Sequence, residues 1–170
     1  MDLTQFIKDY PDFPKAGIVF KDIMPILANP QAFEYAIKQL ENILSKIEYD
    51  VIIAPEARGF LLATPIALRE QKPLIPARKK SKLPGELHQG AYELEYGTDF
   101  IEMQKDTLKA GQRAVVIDDL LATGGTVGCI CNILENAGVT VSALAFLIEL
   151  EGLPGREVLR QYNIQSIIKY

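Results

Sequence analysis

Residues 114–117 read Ala-Val-Val-Ile, and two acids, Asp118 and Asp119, follow at once, then Thr123, Gly124, Gly125 and Thr126. An uninterrupted apolar run of strand length has no polar side to turn toward water. It belongs in a sheet covered on both faces, which in practice is a parallel sheet flanked by helices. Carboxylates are rarely placed at the end of such a strand for packing, because a buried charge without a partner is costly. The Thr-Gly-Gly-Thr turn beyond them offers hydroxyls and a backbone that a ligand can approach closely. One short stretch therefore demands a layered α/β fold and a polar ligand at the carboxyl end of a strand.

The same alternation runs along the rest of the chain. Asn29 and Pro30 form an N-cap and first-turn pair, and Phe33, Ile37, Leu40 and Leu44 recur at helical spacing to about Ile47. Residues 50–54 are a short apolar strand, 59–70 carry Phe60, Leu61, Ala63, Ala67 and Leu68 in a helical pattern, and 73–79 restart a strand. Residues 79–90 hold few core candidates and are expected to form an exposed, mobile loop. In residues 91–96, Tyr92, Leu94 and Tyr96 alternate with Glu93 and Glu95; Gly97, Thr98 and Asp99 then turn the chain into 100–104, a hairpin signal. After the 114–117 strand and a 118–126 loop comes a helix with Val127, Ile130, Leu134 and Ala137 on one face, closed by Gly138, and then an apolar strand over 139–150. The expected fold is a mostly parallel sheet with helices on both faces, where ligands sit beyond the carboxyl ends of the strands.

The 170 residues suit a single domain, which would bury roughly two-thirds of its unfolded surface. Apolar residues at 48% and charged ones at 24% exclude a disordered or fibrous chain. No apolar run approaches the ~18 residues of a membrane span, and the N-terminal residues lack the pattern of a secretory signal. Cys129 and Cys131, two apart on a helix, point in different directions, so neither a disulfide nor a zinc site is expected and a reducing, cytoplasmic setting is. A net charge of −4 argues against nucleic acid as a partner, so an anionic ligand must be held locally.

Between strand and helix, the backbone N–H groups and hydroxyls of 123–126 and the positive helix end can converge on one phosphate. Nothing basic follows Gly125, so this is not a nucleoside triphosphate loop, and the dinucleotide fingerprint is also absent. The plainer alternative is a Gly-rich turn with Thr126 as N-cap. Beside a phosphate, Asp118 and Asp119 must face donors or a cation; vicinal hydroxyls and Mg²⁺ both qualify. A ribose 5-phosphate satisfies loop and acids with one ligand.

The stretch VVIDDLLATGGT resembles the phosphoribosyl pyrophosphate signature of the type I phosphoribosyltransferases. YPDFPKAGIVFKDIMPIL, PEARGF, RKKSKLPGE, YELEYGTDFIEMQKDTL and EGLPGRE are similar, in order, to the adenine-specific branch of that family. The resemblance implies Mg²⁺-assisted transfer of ribose 5-phosphate from phosphoribosyl pyrophosphate to adenine, giving AMP and pyrophosphate. It also implies a hood formed by about residues 1–30, a flexible hairpin flap and a homodimer with the PEARGF region near the interface. By the same resemblance the ribose 5-phosphate moiety falls to Asp118, Asp119 and Ala122, Thr123, Gly124, Gly125 and Thr126. Glu56, Ala57 and Arg58 would meet the pyrophosphate at a turn where the family holds a non-proline cis peptide. Arg78, Lys79 and Lys82 match the family's loop over pyrophosphate, whereas Lys80 reads as solvated. Val19 and Lys21 would offer backbone groups to the adenine edge and Phe20 its ring, unless Phe20 is core. Glu95 matches a hairpin glutamate implicated in proton handling at the purine; the bland alternative is an exposed strand carboxylate. Mg²⁺ would be held mainly by substrate, with water-mediated contact to Asp118 or Asp119. His88 and both cysteines read as structural. A sensor of the same fold, binding without turnover, would need a DNA-binding face that the charge does not provide.

Overall fold

The computed structural model describes residues 1–94 and 97–170, with backbone alone at 93, 94 and 97. A 3₁₀ turn at Leu3–Phe6 leads into an antiparallel ribbon of β1 (Lys8–Pro11) and β2 (Val19–Asp22), followed by the short α1 (Met24–Ala28). Helix α2 (Pro30–Leu44) starts as its sequence requires: the Asn29 side chain accepts from the N–H groups of Gln31 and Ala32. Then come β3 (Val51–Pro55), α3 (Arg58–Glu70), β4 (Leu74–Lys79), the hairpin strands β5 (Leu87–Leu94) and β6 (Gly97–Gln104), β7 (Arg113–Leu121), α4 (Gly125–Asn136), β8 (Thr140–Glu149), α5 (Gly155–Val158) and β9 (Ile164–Lys169).

Among the described residues seven strands form one sheet in the order β5-β6-β4-β3-β7-β8-β9. The five strands β4, β3, β7, β8 and β9 run parallel, and the hairpin adds antiparallel at the β4 edge. Side-chain alternation splits the central strands between two cores. Ile52, Ala54, Val115, Ile117, Ala145 and Leu147 face α2 and α3. Val51, Ile53, Val116, Leu144 and Phe146 face α4. The apolar run at 114–117 is continuous because both its faces are covered.

Four boundaries differ from expectation. The hairpin turn does not fall at Gly97, Thr98 and Asp99: these residues open β6 and pair with Leu94, Glu93 and Tyr92 of β5, because the ladder continues as far as Leu94 and Gly97. Strand β7 does not stop at Ile117: it carries both acids and reaches Leu121, because β8 runs beside it as far as Glu149 and continues the ladder. The turn before α4 accordingly shrinks to residues 122–124. Its N-cap is Gly124 at φ +82°, with Thr126 inside the first helical turn and not at the cap. The expected 79–90 loop is also shorter, since Leu87, His88, Gln89 and Gly90 belong to β5 and pair with residues of β6. Gly90 permits this: a Cβ there would stand 2.6 Å from Cys129 Sγ on α4, so the hairpin lies against that helix. Gly138, at φ +75°, closes α4 as its sequence position implies.

Candidate active site

The carboxyl ends of β3 and β7 meet the start of α3 at a point that leaves little room for a side chain at residue 59. A Cβ on Gly59 would stand 3.0 Å from each of Asp118 Oδ1, the Ile117 carbonyl oxygen and Pro55 Cδ. This close approach brings Arg58 onto the acids. Its Nη2 lies 2.9 Å from Asp119 Oδ2, its Nη1 donates to the Lys21 carbonyl at 3.3 Å, and its guanidinium carbon sits 4.8 Å from the Phe20 ring centroid. One arginine thus ties the end of β7 to the N-terminal ribbon. An arginine at a helix N-terminus is unfavourable on dipole grounds, and here the acids offset that.

Asp119 is 4% exposed. Although Arg58 Nη2 is close, no N–H is directed at Oδ2, so that oxygen is buried with charge compensation but no hydrogen bond among the described residues. Asp118 accepts from the Asp119 N–H at 2.8 Å. Burial first, and then the Asp119 charge, push the Asp118 carboxyl well above the usual carboxylate range. Burial also raises Asp119, with Arg58 opposing it. The pair is poised to receive hydroxyl donors or a hard cation, either of which would favour the ionised form. Among the described residues no group of three His, Cys, Asp or Glu could hold a metal. A Mg²⁺ ion brought in with substrate would be held mainly by substrate oxygens and water, with Asp118 or Asp119 reached through that water.

Asp118 and the stretch from Leu120 to Val127 line one depression of about 90 Å³. The sequence-selected Ala122, Thr123, Gly124, Gly125 and Thr126 therefore share a pocket with Asp118, whereas Asp119 turns to Arg58. Tyr92 of the hairpin reaches the same place, its hydroxyl donating to Asp99 Oδ2 at 3.1 Å and meeting the Thr126 side chain.

The basic residues gather on the other side through a carboxylate. Glu56 Oε2 accepts from Arg78 Nε at 3.0 Å and from the Lys79 N–H at 2.9 Å, which fixes the turn after β3 to the end of β4. The peptide between Glu56 and Ala57 is cis. Arg78 Nη1 donates to the Lys82 carbonyl at 3.3 Å, and Lys79 Nζ pairs with Asp99 at 3.0 Å. Lys80 lies over the Phe100 ring at 4.7 Å instead of being merely solvated. The buried Glu102 accepts from the Ser81 N–H and from Gln89 Nε2, both at 2.9 Å, and holds the loop between β4 and β5.

Phe20 is half-buried and packs edge-on to Phe13 at 5.3 Å, beside Tyr10 and Met24 in an open apolar cleft, so it is not core. Val19 beside it is exposed. Lys21 surprises: its carbonyl is engaged by Arg58, while its ammonium pairs with Asp9 at 2.7 Å and lies 3.8 Å from the ring centroid of Tyr170. Glu95 lies outside the described residues. Sequence reading missed Asp9, Tyr170, Glu102, Glu149 and Arg156. Arg156 lay in the EGLPGRE stretch, which had no role attached, and Glu149 in the 139–150 strand, which was read for its apolar residues alone.

A central parallel strand carrying two acids near its carboxyl end, a Gly-rich turn into a helix and a hairpin at the sheet edge make this the type I phosphoribosyltransferase fold. Residues 24–168 match the family described as phosphoribosyl transferase domain. The chain is 47% identical over 168 residues to adenine phosphoribosyltransferase of Lachnoclostridium phytofermentans, covering 99% of this chain and 97% of that one. Its structure is similar to the crystal structure of adenine phosphoribosyltransferase from Thermoanaerobacter pseudethanolicus, with a TM-score of 0.97, 48% identity and coverage of 99% and 98%. It is also similar to the Saccharomyces cerevisiae enzyme complexed with an imino-altritol bisphosphate and adenine, with a TM-score of 0.88, 35% identity and coverage of 98% and 95%. The chain belongs to the adenine phosphoribosyltransferase family.

Proposed function

We propose that this protein is a purine-salvage enzyme that transfers ribose 5-phosphate from phosphoribosyl pyrophosphate to adenine, giving AMP and pyrophosphate. The observation that carries the residue assignments is the buried Asp119 oxygen without a hydrogen bond, next to Asp118, which lines one pocket with the 122–126 turn. The turn takes the 5′-phosphate through backbone N–H groups and the hydroxyls of Thr123 and Thr126. Asp118 and Asp119 take the ribose hydroxyls and stabilise positive charge that develops on the ribosyl ring as pyrophosphate departs. Arg58, Arg78, Lys79 and Lys82, with the backbone at Glu56 and Ala57, hold the departing pyrophosphate. Phe20 packs on the purine while Val19 and Lys21 present backbone groups to its edge. Glu95 handles the proton at the purine ring. Mg²⁺, when bound, neutralises charge on the pyrophosphate, and Asp118 or Asp119 contacts it through water.

The same reading includes a homodimer, a cytoplasmic location, and one domain with residues 1–30 as hood. Leu61 and Leu68, 41% and 79% exposed on α3, support the dimer. Both cysteines are free, which suits a reducing compartment, and no helix of the described residues is long and apolar enough to cross a membrane. Following AMP formation from adenine, phosphoribosyl pyrophosphate and Mg²⁺ tests the activity. Turnover with guanine or hypoxanthine in place of adenine would reassign the base.

A further inference from the structure

Strand β8 ends in a carboxylate that the proposed chemistry does not use. Glu149 is 2% exposed, and Arg156 grips it with both arms of its guanidinium, Nε to Oε1 at 2.5 Å and Nη2 to Oε2 at 2.7 Å. The Ser166 hydroxyl on β9 donates to Oε2 as well. Hydrogen bonds from Arg156 foremost, then Ser166, outweigh burial and hold the Glu149 carboxyl down at about 2, so it stays charged throughout the neutral range.

Arg156 belongs to α5, whose first residue is the floor of the 122–124 turn. The Gly155 N–H donates to the Ala122 carbonyl at 3.0 Å, and a Cβ at Gly155 would stand only 2.3 Å from that oxygen and 2.8 Å from Leu121 Cδ1. A Cβ on Gly124 would in turn meet the Gly155 Cα and carbonyl oxygen at 3.2 Å. No side chain lies between the two backbones. The Leu150 N–H donates to the Leu121 carbonyl at 3.0 Å, and Leu159 packs under Gly124 and Gly128. Any shift of α5 relative to β8 is therefore passed directly to the turn.

We propose that Glu149 and Arg156 are a positioning pair for the proposed reaction: by locking α5 to the end of β8 they set the depth of the turn at residues 122–126 and so its affinity for the 5′-phosphate. The inference rests on the reading that this turn takes that phosphate. Neither residue touches substrate; both act through Gly155.

Ribose 5-phosphate, measured by calorimetry, probes the turn without the pyrophosphate site. In Arg156→Gln and in Glu149→Gln, its Kd and the KM for phosphoribosyl pyrophosphate are expected to rise roughly tenfold, with the KM for adenine unchanged, as when outer partners of a binding group are removed. The double variant is expected to be no weaker than either single one, because the two act as a unit, and Arg156→Lys to recover part of the loss. Arg113→Gln is the stability control. It breaks the ion pair with Asp50 at the far end of β7, and it should lower Tm without moving ribose 5-phosphate affinity. Wild-type affinity in Arg156→Gln, or affinity falling in step with Tm in Arg113→Gln, would overturn the proposal. Thr126→Ala separates the two readings. If it weakens ribose 5-phosphate while Arg156→Gln does not, only the positioning role fails; if it too leaves affinity intact, the phosphate assignment fails and takes the proposal with it.

Discussion

Burial and the Asp119 charge both disfavour ionisation of Asp118, and that has a consequence for stability in the absence of ligand. A carboxyl whose pKa is raised on folding stabilises the native state fully below its unfolded value and loses that contribution as pH rises through the raised one. At neutral pH, Asp118→Asn should therefore stabilise the free protein by on the order of 1 kcal/mol, or roughly 2–4 °C in Tm, while lowering kcat/KM for phosphoribosyl pyrophosphate at least about tenfold. Melting curves at pH 4 and pH 8 check the sign: the gain belongs at pH 8 and should vanish at pH 4, and equal destabilisation at both would sink the argument. Asp119→Asn should raise the KM for phosphoribosyl pyrophosphate and the Mg²⁺ requirement, whereas Glu95→Gln should leave both substrate affinities near wild type and slow turnover; indistinguishable steady-state kinetics would refute the division of roles. The acids were legible in sequence because an apolar strand has no packing use for two adjacent charges. Glu149 was not, since its partners Arg156 and Ser166 become neighbours only when α5 and β9 fold back on β8. The contact of Lys21 with Tyr170 was hidden for the same reason, joining opposite ends of the chain.

Between Asn29 and Leu150 strand and helix identities followed from periodicity, but lengths at the carboxyl edge did not, and the short β1, β2, α1, α5 and β9 outside that span were not read from sequence. Apolar patterning stops where the core stops, whereas a strand continues as long as a neighbour supplies ladder partners, so β7 runs through Asp118 and Asp119 to Leu121 beside β8. The start of β5 was missed because His88, Gln89 and Gly90 lack an apolar alternation, yet β6 and α4 hold them from either side. The close packing of α3 on this edge gives a paired test. Gly59→Ala introduces a Cβ 3.0 Å from the Ile117 carbonyl and Pro55 Cδ, groups that cannot swing aside, so a loss of about 1–3 kcal/mol is expected together with weaker pairing of Arg58 and Asp119. Gly128→Ala, also helical, meets only Leu159 Cδ2 at 3.5 Å and should be neutral or stabilising by up to about 1 kcal/mol. Urea titrations of both variants, with kcat measured alongside, separate crowding at the strand end from helix propensity. Equal changes would show that the edge is not tightly packed.

At the scale of the molecule, one helix serves both the site and the proposed dimer. The α3 residues Leu62, Ala63 and Ile66 are buried against the sheet, Leu61 and Leu68 stand exposed on its outer side, and Arg58 at its first position pairs with Asp119. Exposed leucines on a helix otherwise packed into a core are costly to leave in water, and a second copy of the chain is the occupant that the family resemblance implies. A charge placed there would have to be desolvated in the dimer but stays hydrated in the monomer. Leu68→Glu should thus weaken association by at least about 3 kcal/mol, roughly a hundredfold in dissociation constant, with little change in the stability of the monomer. Sedimentation velocity over a concentration series reads this directly: wild type should sediment as a dimer and the variant as a monomer at micromolar concentration. Because the buried face of α3 is untouched, ribose 5-phosphate affinity should persist in the monomer. A variant that remains dimeric would place the interface on another surface, and a wild type that is monomeric throughout would remove the dimer from the proposed function while leaving the assignment of Asp118, Asp119 and the 122–126 turn standing.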